Sequence, residues 1–154
     1  RMAAAVLNCK LAAPYLSGVV EETILFKWMG VDCRATPDVN GVDHLTELKT
    51  SASAEPVKFT YQALRMAYHA QMRMQQIGTG KRKPCFIVCV ESDEPHPVTV
   101  FEIDKRTLEI GEKLLTLWME RLKSCEASGQ FPPYSQSVFT LMAPEDFELA
   151  YEDA

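Results

Sequence analysis

Residues 34–50 place the strongest constraint on how this chain can fold. The segment is typical of a strand, a polar turn and a second strand that ends in Glu47-Leu48-Lys49. Side chains on a strand alternate between its two faces, so Glu47 and Lys49 are expected to point the same way while Leu48 points into the core. With Asp38 at the edge of the turn, the hairpin is predicted to bring two carboxylates and an ammonium together.

The chemistry of these residues favours a metal site. Hard divalent cations such as Mg²⁺ take oxygen ligands, usually one or two carboxylates together with waters and substrate phosphates. Asp38 and Glu47 would supply the carboxylates, and the Leu48 carbonyl would add a third oxygen. Lys49, beside a metal-bound water and a phosphate, would orient or help deprotonate that water. The segment therefore predicts Mg²⁺-assisted hydrolysis of phosphodiester bonds, with Mn²⁺ expected to substitute.

This pattern resembles a known nuclease signature. Pro37-Asp38, eight further residues and Glu47-Leu48-Lys49 are similar to the PD-(D/E)xK motif. Within that superfamily the chain most resembles the RecE-like and lambda-exonuclease-like exodeoxyribonucleases of phages and prophages. The surrounding segments that add to the resemblance are residues 22–28, 31–34, 50–51 and 68–71. The resemblance covers about residues 21–123.

The resemblance implies both a fold and an activity. The fold is α/β with a restriction-endonuclease-like core, a mixed central sheet of about five strands flanked by helices. The activity is that of a Mg²⁺-dependent 5′ to 3′ double-strand exodeoxyribonuclease of phage-type recombination, working on DNA ends in the cytoplasm of a bacterial host. Relatives form rings that thread DNA, so a homo-oligomer is expected, and a single-strand annealing protein is a candidate partner.

The resemblance also implies an additional acidic residue upstream of the motif. In this family an upstream acidic side chain often joins the metal site, and Glu21 and Glu22, just before the first predicted strand, are the candidates for that ligand. An exposed strand entrance explains the same two residues equally well.

Residues 56–77 are predicted to form one helix that covers the sheet. Its helical spacing brings Gln71 near the metal site, where the resemblance implies that it orients substrate. On the same helix, Tyr68 is a candidate contact to the DNA backbone, and Lys58 and Arg65 are further DNA-contact candidates. For each basic residue, a solvated surface charge is the alternative.

The turn of the hairpin poses a geometric test. Asn40-Gly41 is the strongest signal for a two-residue turn, which would pair Asp38 with Asp43 and leave Glu47 roughly 13 Å further along the strand. One Mg²⁺ with ligand bonds of about 2.1 Å cannot span that gap. The metal site therefore predicts a wider turn, with Asp38 beside Glu47.

The other elements follow from apolar patterning. In chain order they are helix 2–13, strands 22–28 and 31–36, the hairpin, helix 56–77, strands 84–91 and 98–103, and helix 104–127. The first two strands are expected to join the hairpin in a three-stranded antiparallel unit. Residues 84–91 form the continuous apolar run of a strand buried on both faces, and residues 98–103 a strand nearer the edge.

Charge and cysteine content restrict the function classes. The formal net charge of −5 argues against broad, nonspecific nucleic-acid binding, which depends on neutralising phosphates with Lys and Arg. It is compatible with a nuclease, because carboxylates cluster at a metal site. The five cysteines are odd in number and show no CxxC spacing, so reduced thiols are expected rather than disulfides. Some members of the superfamily that the chain resembles carry an iron–sulfur cluster on one upstream and three downstream cysteines, and no cluster is expected here because only Cys125 lies far downstream.

The chain of 154 residues is expected to form a single domain, with residues 128–154 as an extended tail. It begins at Arg1 in helical-looking sequence, which suggests a fragment that lacks upstream residues. No apolar run approaches the ~20 residues of a membrane span, and a cytoplasmic location is expected.

Other functions stay open at this point. An endonuclease or an RNA-acting nuclease would use the same site, and the sequence does not separate them. A catalytically silent nucleic-acid-binding homologue is the other alternative, although the intact Asp38, Glu47 and Lys49 speak against it.

Overall fold

A computed structural model describes residues 1–135 and 137–142. In chain order its helices and strands are α1 (Met2–Asn8), β1 (Val19–Val20), β2 (Ile24–Trp28), β3 (Val31–Ala35), β4 (Val39–Asn40), β5 (Leu45–Ser51), α2 (Pro56–Arg65), α3 (Tyr68–Thr79), β6 (Cys85–Glu91), β7 (Val98–Ile103) and α4 (Lys105–Ser128). A 3₁₀ turn, Ala13–Leu16, lies between α1 and β1.

Five of the strands form one mixed sheet in the order β1-β4-β5-β6-β7. β5 and β6 are parallel, and the other neighbours are antiparallel. A parallel pair needs a crossover connection, and α2 and α3 supply it between β5 and β6. The predicted α/β class with a mixed sheet of five strands is thereby confirmed.

β2 and β3 form a separate antiparallel ribbon. The expectation that they join the hairpin in a three-stranded unit is wrong, because β4 and β1 occupy the sheet on that side of β5. The ribbon packs on α3 instead: a Cβ added at Gly78 would lie 2.8 Å from the Phe26 ring. Met29 and Gly30 turn the ribbon with φ values of 50° and 82°, as a two-residue hairpin turn requires.

The segment predicted as one helix, residues 56–77, forms two. α2 ends at Arg65 and α3 begins at Tyr68. Between them Ala67 lies in the left-handed region, with φ 56° and ψ 33°, where a helix ordinarily ends in glycine. Neither glycine nor proline marks this break in the sequence, so helical spacing alone does not reveal it.

The sheet carries a hydrophobic cluster on each face, and β6 contributes to both. Cys85, Ile87 and Cys89 belong to the cluster beneath α2 and α3, which also contains Phe59 and Met72. On the other face Val88 and Val90 pack with residues of the α1 region. The prediction that this strand is buried on both sides is confirmed.

The chain divides into two compact units, residues 1–121 and 122–154, and the boundary falls within α4. In the second unit the described residues are the end of α4 and then 129–135 and 137–142, which form no helix or strand; the rest of the predicted tail lies outside the described residues. Among the described helices, none is long and apolar enough to cross a membrane.

Candidate active site

The register of β4 against β5 decides whether the predicted carboxylates meet. Val39 pairs with Thr46 and Asn40 with Leu45. Continued by one residue, this register places Asp38 opposite Glu47. The wider turn that a metal site requires is therefore the one the chain adopts, and the tight Asn-Gly turn is not formed.

The turn is wide because it folds around a buried histidine. A Cβ added at Gly41 would lie 2.2 Å from the His44 ring, so only glycine permits this approach. The His44 ring is hydrogen-bonded to Asp43 at 3.0 Å and to the Tyr15 carbonyl at 3.3 Å. Lys83 donates from Nζ to the Gly41 carbonyl, which holds the turn against the loop before β6.

Asp38 is fixed to the edge of β5 by a backbone hydrogen bond. The Leu48 N–H donates to Asp38 Oδ2 at 2.7 Å. Continued register places Pro37 opposite Leu48, and proline has no N–H to donate. Because the N–H and C=O of one strand residue face the same neighbour, the Leu48 carbonyl also faces the side where Asp38 lies. The Leu48 carbonyl, which was predicted as the third metal ligand, thus faces the side of β5 on which Asp38 lies.

The prediction that the Leu48 side chain points into the core is wrong. The side chain is 42% exposed and lines a cleft of about 550 Å³ that Asp38 and Lys49 also border. The alternation of faces was correctly predicted, but the buried face is that of Glu47, which α3 covers. The error has a physical cause: a buried carboxylate is accommodated when donors surround it, and α3 supplies two of those donors.

Glu47 is 5% exposed and accepts hydrogen bonds on both carboxylate oxygens. Lys49 Nζ donates to Oε1 at 2.9 Å, and the side-chain amide of Gln71 donates to the same oxygen. The amide of Gln75 donates to Oε2 at 2.8 Å. These contacts bring together three of the residues singled out in the sequence, Glu47, Lys49 and Gln71.

Gln75 is the site residue that the sequence analysis missed. It is 3% exposed, and its Oε1 has no hydrogen-bond partner among the described residues. The available signal was its spacing: Gln71 and Gln75 are four residues apart and share one face of α3. A pair of glutamines at that spacing, on the helix predicted to cover the site, points to a shared partner.

Tyr68 forms a wall of the site. The Lys49 ammonium lies 4.7 Å from the centre of the Tyr68 ring, a cation–π contact. The same ring lies 6.3 Å from the Phe59 ring, which belongs to the core. The half-buried Tyr68, a predicted DNA contact, therefore stabilises the position of Lys49.

The electrostatic environment raises the pKa of Asp38. Burial is the largest cause, and the negative charges of Glu47 and Glu21 add to it; the Leu48 N–H and the Lys49 ammonium act in the opposite direction. A carboxylate whose ionised form is disfavoured in this way gains from a nearby cation. A raised pKa is what is expected of a metal-binding carboxylate when no metal ion is bound.

The two upstream acidic candidates occupy different positions. Glu22 is exposed and accepts a hydrogen bond from the Asn40 side chain at 2.6 Å. Glu21 borders the same cleft as Asp38 and Lys49, and its N–H donates to the Asp38 carbonyl at 3.1 Å. Of the two, Glu21 is the one beside the predicted metal-binding carboxylate.

The predicted DNA-contact residues Lys58 and Arg65 are both exposed on α2. Other basic residues are engaged within the fold. Arg73 pairs with Glu112, and Lys83 donates to Asn40 at 2.7 Å.

The donor set at the site fits Mg²⁺. Among residues 1–135 and 137–142, no three His, Cys, Asp or Glu side chains cluster as a metal site. Asp38, Glu47 and the Leu48 carbonyl offer two carboxylates and one backbone oxygen, which are hard ligands. This set matches the habit of Mg²⁺, which binds one or two carboxylates and keeps several waters.

Comparison with solved structures identifies relatives of the fold. A protein from Eubacterium rectale, provisionally described as an exonuclease, shares 13% sequence identity at a TM-score of 0.69, over 97% of this chain and 63% of that one. The chain thus spans less than two thirds of that protein's length. An alkaline exonuclease from Laribacter hongkongensis has 19% identity and a TM-score of 0.37, over 80% of this chain and 72% of its own. No curated protein matches the chain with significance.

Family membership rests on the sequence. The match to the family covers residues 1–141, which include every residue of the site described above. The chain therefore belongs to the family of PDDEXK-like domains of unknown function, DUF3799, as the resemblance to the PD-(D/E)xK motif predicted.

Proposed function

We propose that this domain is a divalent-metal-dependent deoxyribonuclease that hydrolyses DNA phosphodiester bonds. The observation that carries the proposal is the β4–β5 register, which sets Asp38 opposite Glu47 and turns the Leu48 edge towards them. The Lys49 ammonium donates a hydrogen bond to the Glu47 carboxylate at 2.9 Å. Two carboxylates, a carbonyl and an ammonium in this arrangement suit hydrolysis of a phosphodiester.

Each residue has a role in this proposal. Asp38, Glu47 and the Leu48 carbonyl would hold Mg²⁺, which when bound supplies charge stabilisation and a more acidic water. Lys49 is placed to donate to the attacking water or to a phosphate oxygen. Gln71 orients the Glu47 carboxylate and, at the border of the site, is placed to contact substrate. Mn²⁺ has the same preference for oxygen ligands and is expected to substitute.

The finer proposal is a 5′ to 3′ exonuclease acting on double-stranded DNA ends in phage-type recombination. It is supported by the resemblance of the motifs to RecE-like and lambda-exonuclease-like enzymes and by the description of the Eubacterium rectale protein as an exonuclease. The same resemblance supports a homo-oligomer, a single-strand annealing protein as partner and a cytoplasmic setting in a bacterial host. These belong to the proposal together with Mg²⁺.

Digestion of linear duplex DNA labelled at the 5′ or the 3′ end tests the proposal. With Mg²⁺ the wild type should release the 5′ label first, and with EDTA it should release none. Glu47→Ala should be inactive, and Glu120→Ala, which removes an exposed carboxylate from α4, should behave as wild type. Cleavage by Glu47→Ala at the wild-type rate would exclude this site.

Lys49→Ala separates catalysis from metal binding. A side chain that acts on the attacking water contributes about 10²- to 10⁴-fold, so cleavage should fall by at least the lower figure while Mg²⁺ binding, measured by calorimetry, persists. Asp38→Ala should weaken both. If Lys49→Ala cleaves as fast as wild type, the role given to Lys49 is wrong.

Substrate form distinguishes the alternatives that share the site. An exonuclease degrades linear duplex and spares closed circles, whereas an endonuclease also cuts the circles. An RNA duplex of the same sequence tests the choice of sugar. Binding to DNA without cleavage of any substrate in Mg²⁺ or Mn²⁺ would identify a catalytically silent homologue.

A further inference from the structure

The outward side of α2 carries basic and aromatic side chains in a row. Lys58, Tyr61 and Arg65 follow one another at helical spacing and are all exposed, with Tyr61 at 74%. The ten residues of α2 include no acidic residue, although the chain as a whole has a net charge of −5. The helix itself is therefore basic on an acidic protein, and Glu55, which caps its N-terminus, is the acidic residue nearest to it in sequence.

α2 lies directly beside the candidate active site. Ser51 donates from its hydroxyl to Gln62 Oε1 at 2.8 Å, which ties the middle of α2 to the end of β5. Ser51 is two residues beyond Lys49 on the same face of that strand, a separation of about 6.6 Å. Through Gln62 and Ser51, α2 is thus connected to the strand that carries Lys49.

The side chains of Tyr61 and Arg65 are exposed on α2. Within the described part of the chain their side chains make no hydrogen bond, ion pair or ring contact. Tyr68 on the next helix differs, because it packs on Phe59 and Lys49. Arg73 differs too, because it pairs with Glu112. An exposed tyrosine between two cations is a surface available to a partner.

We propose that α2 is a track for single-stranded DNA, with Lys58 and Arg65 on phosphates and Tyr61 stacked on an unpaired base. Lys58 and Arg65 are seven residues apart, about 10.5 Å along the helix, with Tyr61 between them. Cations that follow the backbone and aromatic rings that stack on bases are how single strands are bound without sequence preference. The proposal rests on the proposed function, since it names the form of DNA that lies next to the site.

The chemistry of the track favours a single strand over a duplex and over a second copy of the chain. A tyrosine stacks on a base face, and base pairs within a duplex keep their faces covered. A two-fold interface through α2 would bring the surface onto itself and set its cations against one another. The core of such an interface is also depleted of lysine.

Binding of fluorescein-labelled oligo(dT), measured by anisotropy in EDTA with the full chain, tests the track separately from cleavage. Tyr61→Ala should weaken binding about tenfold, the effect of one lost stacking contact, and Tyr61→Phe should restore it. The double variant Lys58→Ala with Arg65→Ala should make the negative slope of log affinity against log salt shallower by about 1.4. Trp118→Ala and Arg106→Ala, exposed residues on α4, are the matched controls and should bind as wild type.

Three results would overturn the track. One is unchanged oligo(dT) binding by Tyr61→Ala, and another is equally tight binding of a blunt duplex through the same residues. The third is a dimer, seen by light scattering, that Tyr61→Ala dissociates. Cleavage of linear duplex in Mg²⁺ is measured on the same preparations. If oligo(dT) binding does not depend on Tyr61 but the duplex is cleaved, the track is wrong and the nuclease assignment stands. If oligo(dT) binding depends on Tyr61 but no duplex is cleaved, the nuclease assignment is wrong and binding by α2 stands.

Discussion

At the scale of single residues, the site depends on how a buried carboxylate is kept charged and oriented. Glu47 accepts from Lys49, Gln71 and Gln75, so both of its oxygens are held in place before any cation arrives. An orientation set in advance removes part of the cost of assembling a metal site. Gln75 differs from the other two donors, because it is fully enclosed.

Gln75 is therefore predicted to be a positioning residue. Gln75→Met keeps the approximate shape of the side chain but removes the donor to Glu47 Oε2. Loss of such an outer partner costs about 10- to 100-fold in metal affinity or activity. We expect a rise in the Mg²⁺ concentration needed for half-maximal cleavage, measured as initial rates across a Mg²⁺ titration, and recovery of the rate at high Mg²⁺.

The matched control is Gln76→Met on the same helix. Gln76 is also buried, but it donates to the Lys83 carbonyl at 2.7 Å and does not contact Glu47. Both variants should lose stability in urea, and only Gln75→Met should change the Mg²⁺ requirement. Equal Mg²⁺ curves for the two variants would show that Gln75 serves stability alone.

Sequence patterns reveal these residues unequally. Asp38, Glu47 and Lys49 are recognisable in the sequence because their residue types and spacing form a motif. The requirement that the two carboxylates share one cation then predicted the correct register of β4 against β5. Gln75 carries no such chemistry by itself, because a glutamine becomes part of a site only through the residue it contacts. The exposure of Leu48 likewise depends on which face α3 covers, and strand alternation does not specify that choice.

At the scale of elements, the break between α2 and α3 is the feature that apolar periodicity failed to show. Residues on both sides keep helical spacing, while Met66 (φ −83°, ψ 3°) and Ala67 (φ 56°, ψ 33°) leave the helical region. The break is imposed by tertiary structure: α3 must lie over β5 to bring its glutamines to Glu47, while α2 is tied to Ser51. By contrast, β6 was predictable, because burial on both faces demands an uninterrupted apolar run.

Substitution at Ala67 tests this account of the break. The wild-type alanine already bears the cost of about 1–2 kcal/mol that a left-handed residue other than glycine carries, and a β-branched side chain adds further strain at positive φ. Ala67→Val should therefore lower the free energy of unfolding in urea by at least 1 kcal/mol, in the range of ~1–3 kcal/mol for such strain, and Ala67→Gly should leave it unchanged or raise it slightly.

A helical position within α2, before the break, provides the comparison. Thr60→Val and Thr60→Gly alter an exposed residue inside α2, where glycine is the costly choice by about 1 kcal/mol. The order of stability for valine and glycine should thus reverse between residues 60 and 67. The same order at both positions would mean that residue 67 is helical in solution.

At the scale of the whole molecule, an acidic protein is proposed to bind a polyanion. The formal net charge is −5, and at the candidate site the negative charges of Glu21 and Glu47 lie close enough to act on Asp38. Without a cation these carboxylates repel phosphate, and with Mg²⁺ the repulsion is offset. DNA binding at the site should therefore depend on the metal ion, and basic residues on α2 would supply the remaining attraction.

Removing charge from the site should have opposite effects with and without the metal ion. In EDTA, Glu47→Gln removes one repulsive charge, so binding of a linear duplex, measured by anisotropy, should strengthen severalfold. In Ca²⁺, which takes the same oxygen ligands, the variant should bind more weakly than wild type because a ligand is lost. Glu120→Gln makes the same change in net charge from α4, and at physiological salt exposed charges beyond about 8 Å are largely screened. If Glu120→Gln strengthens binding in EDTA as much as Glu47→Gln does, then net charge governs the affinity and DNA does not approach the Asp38–Glu47 pair.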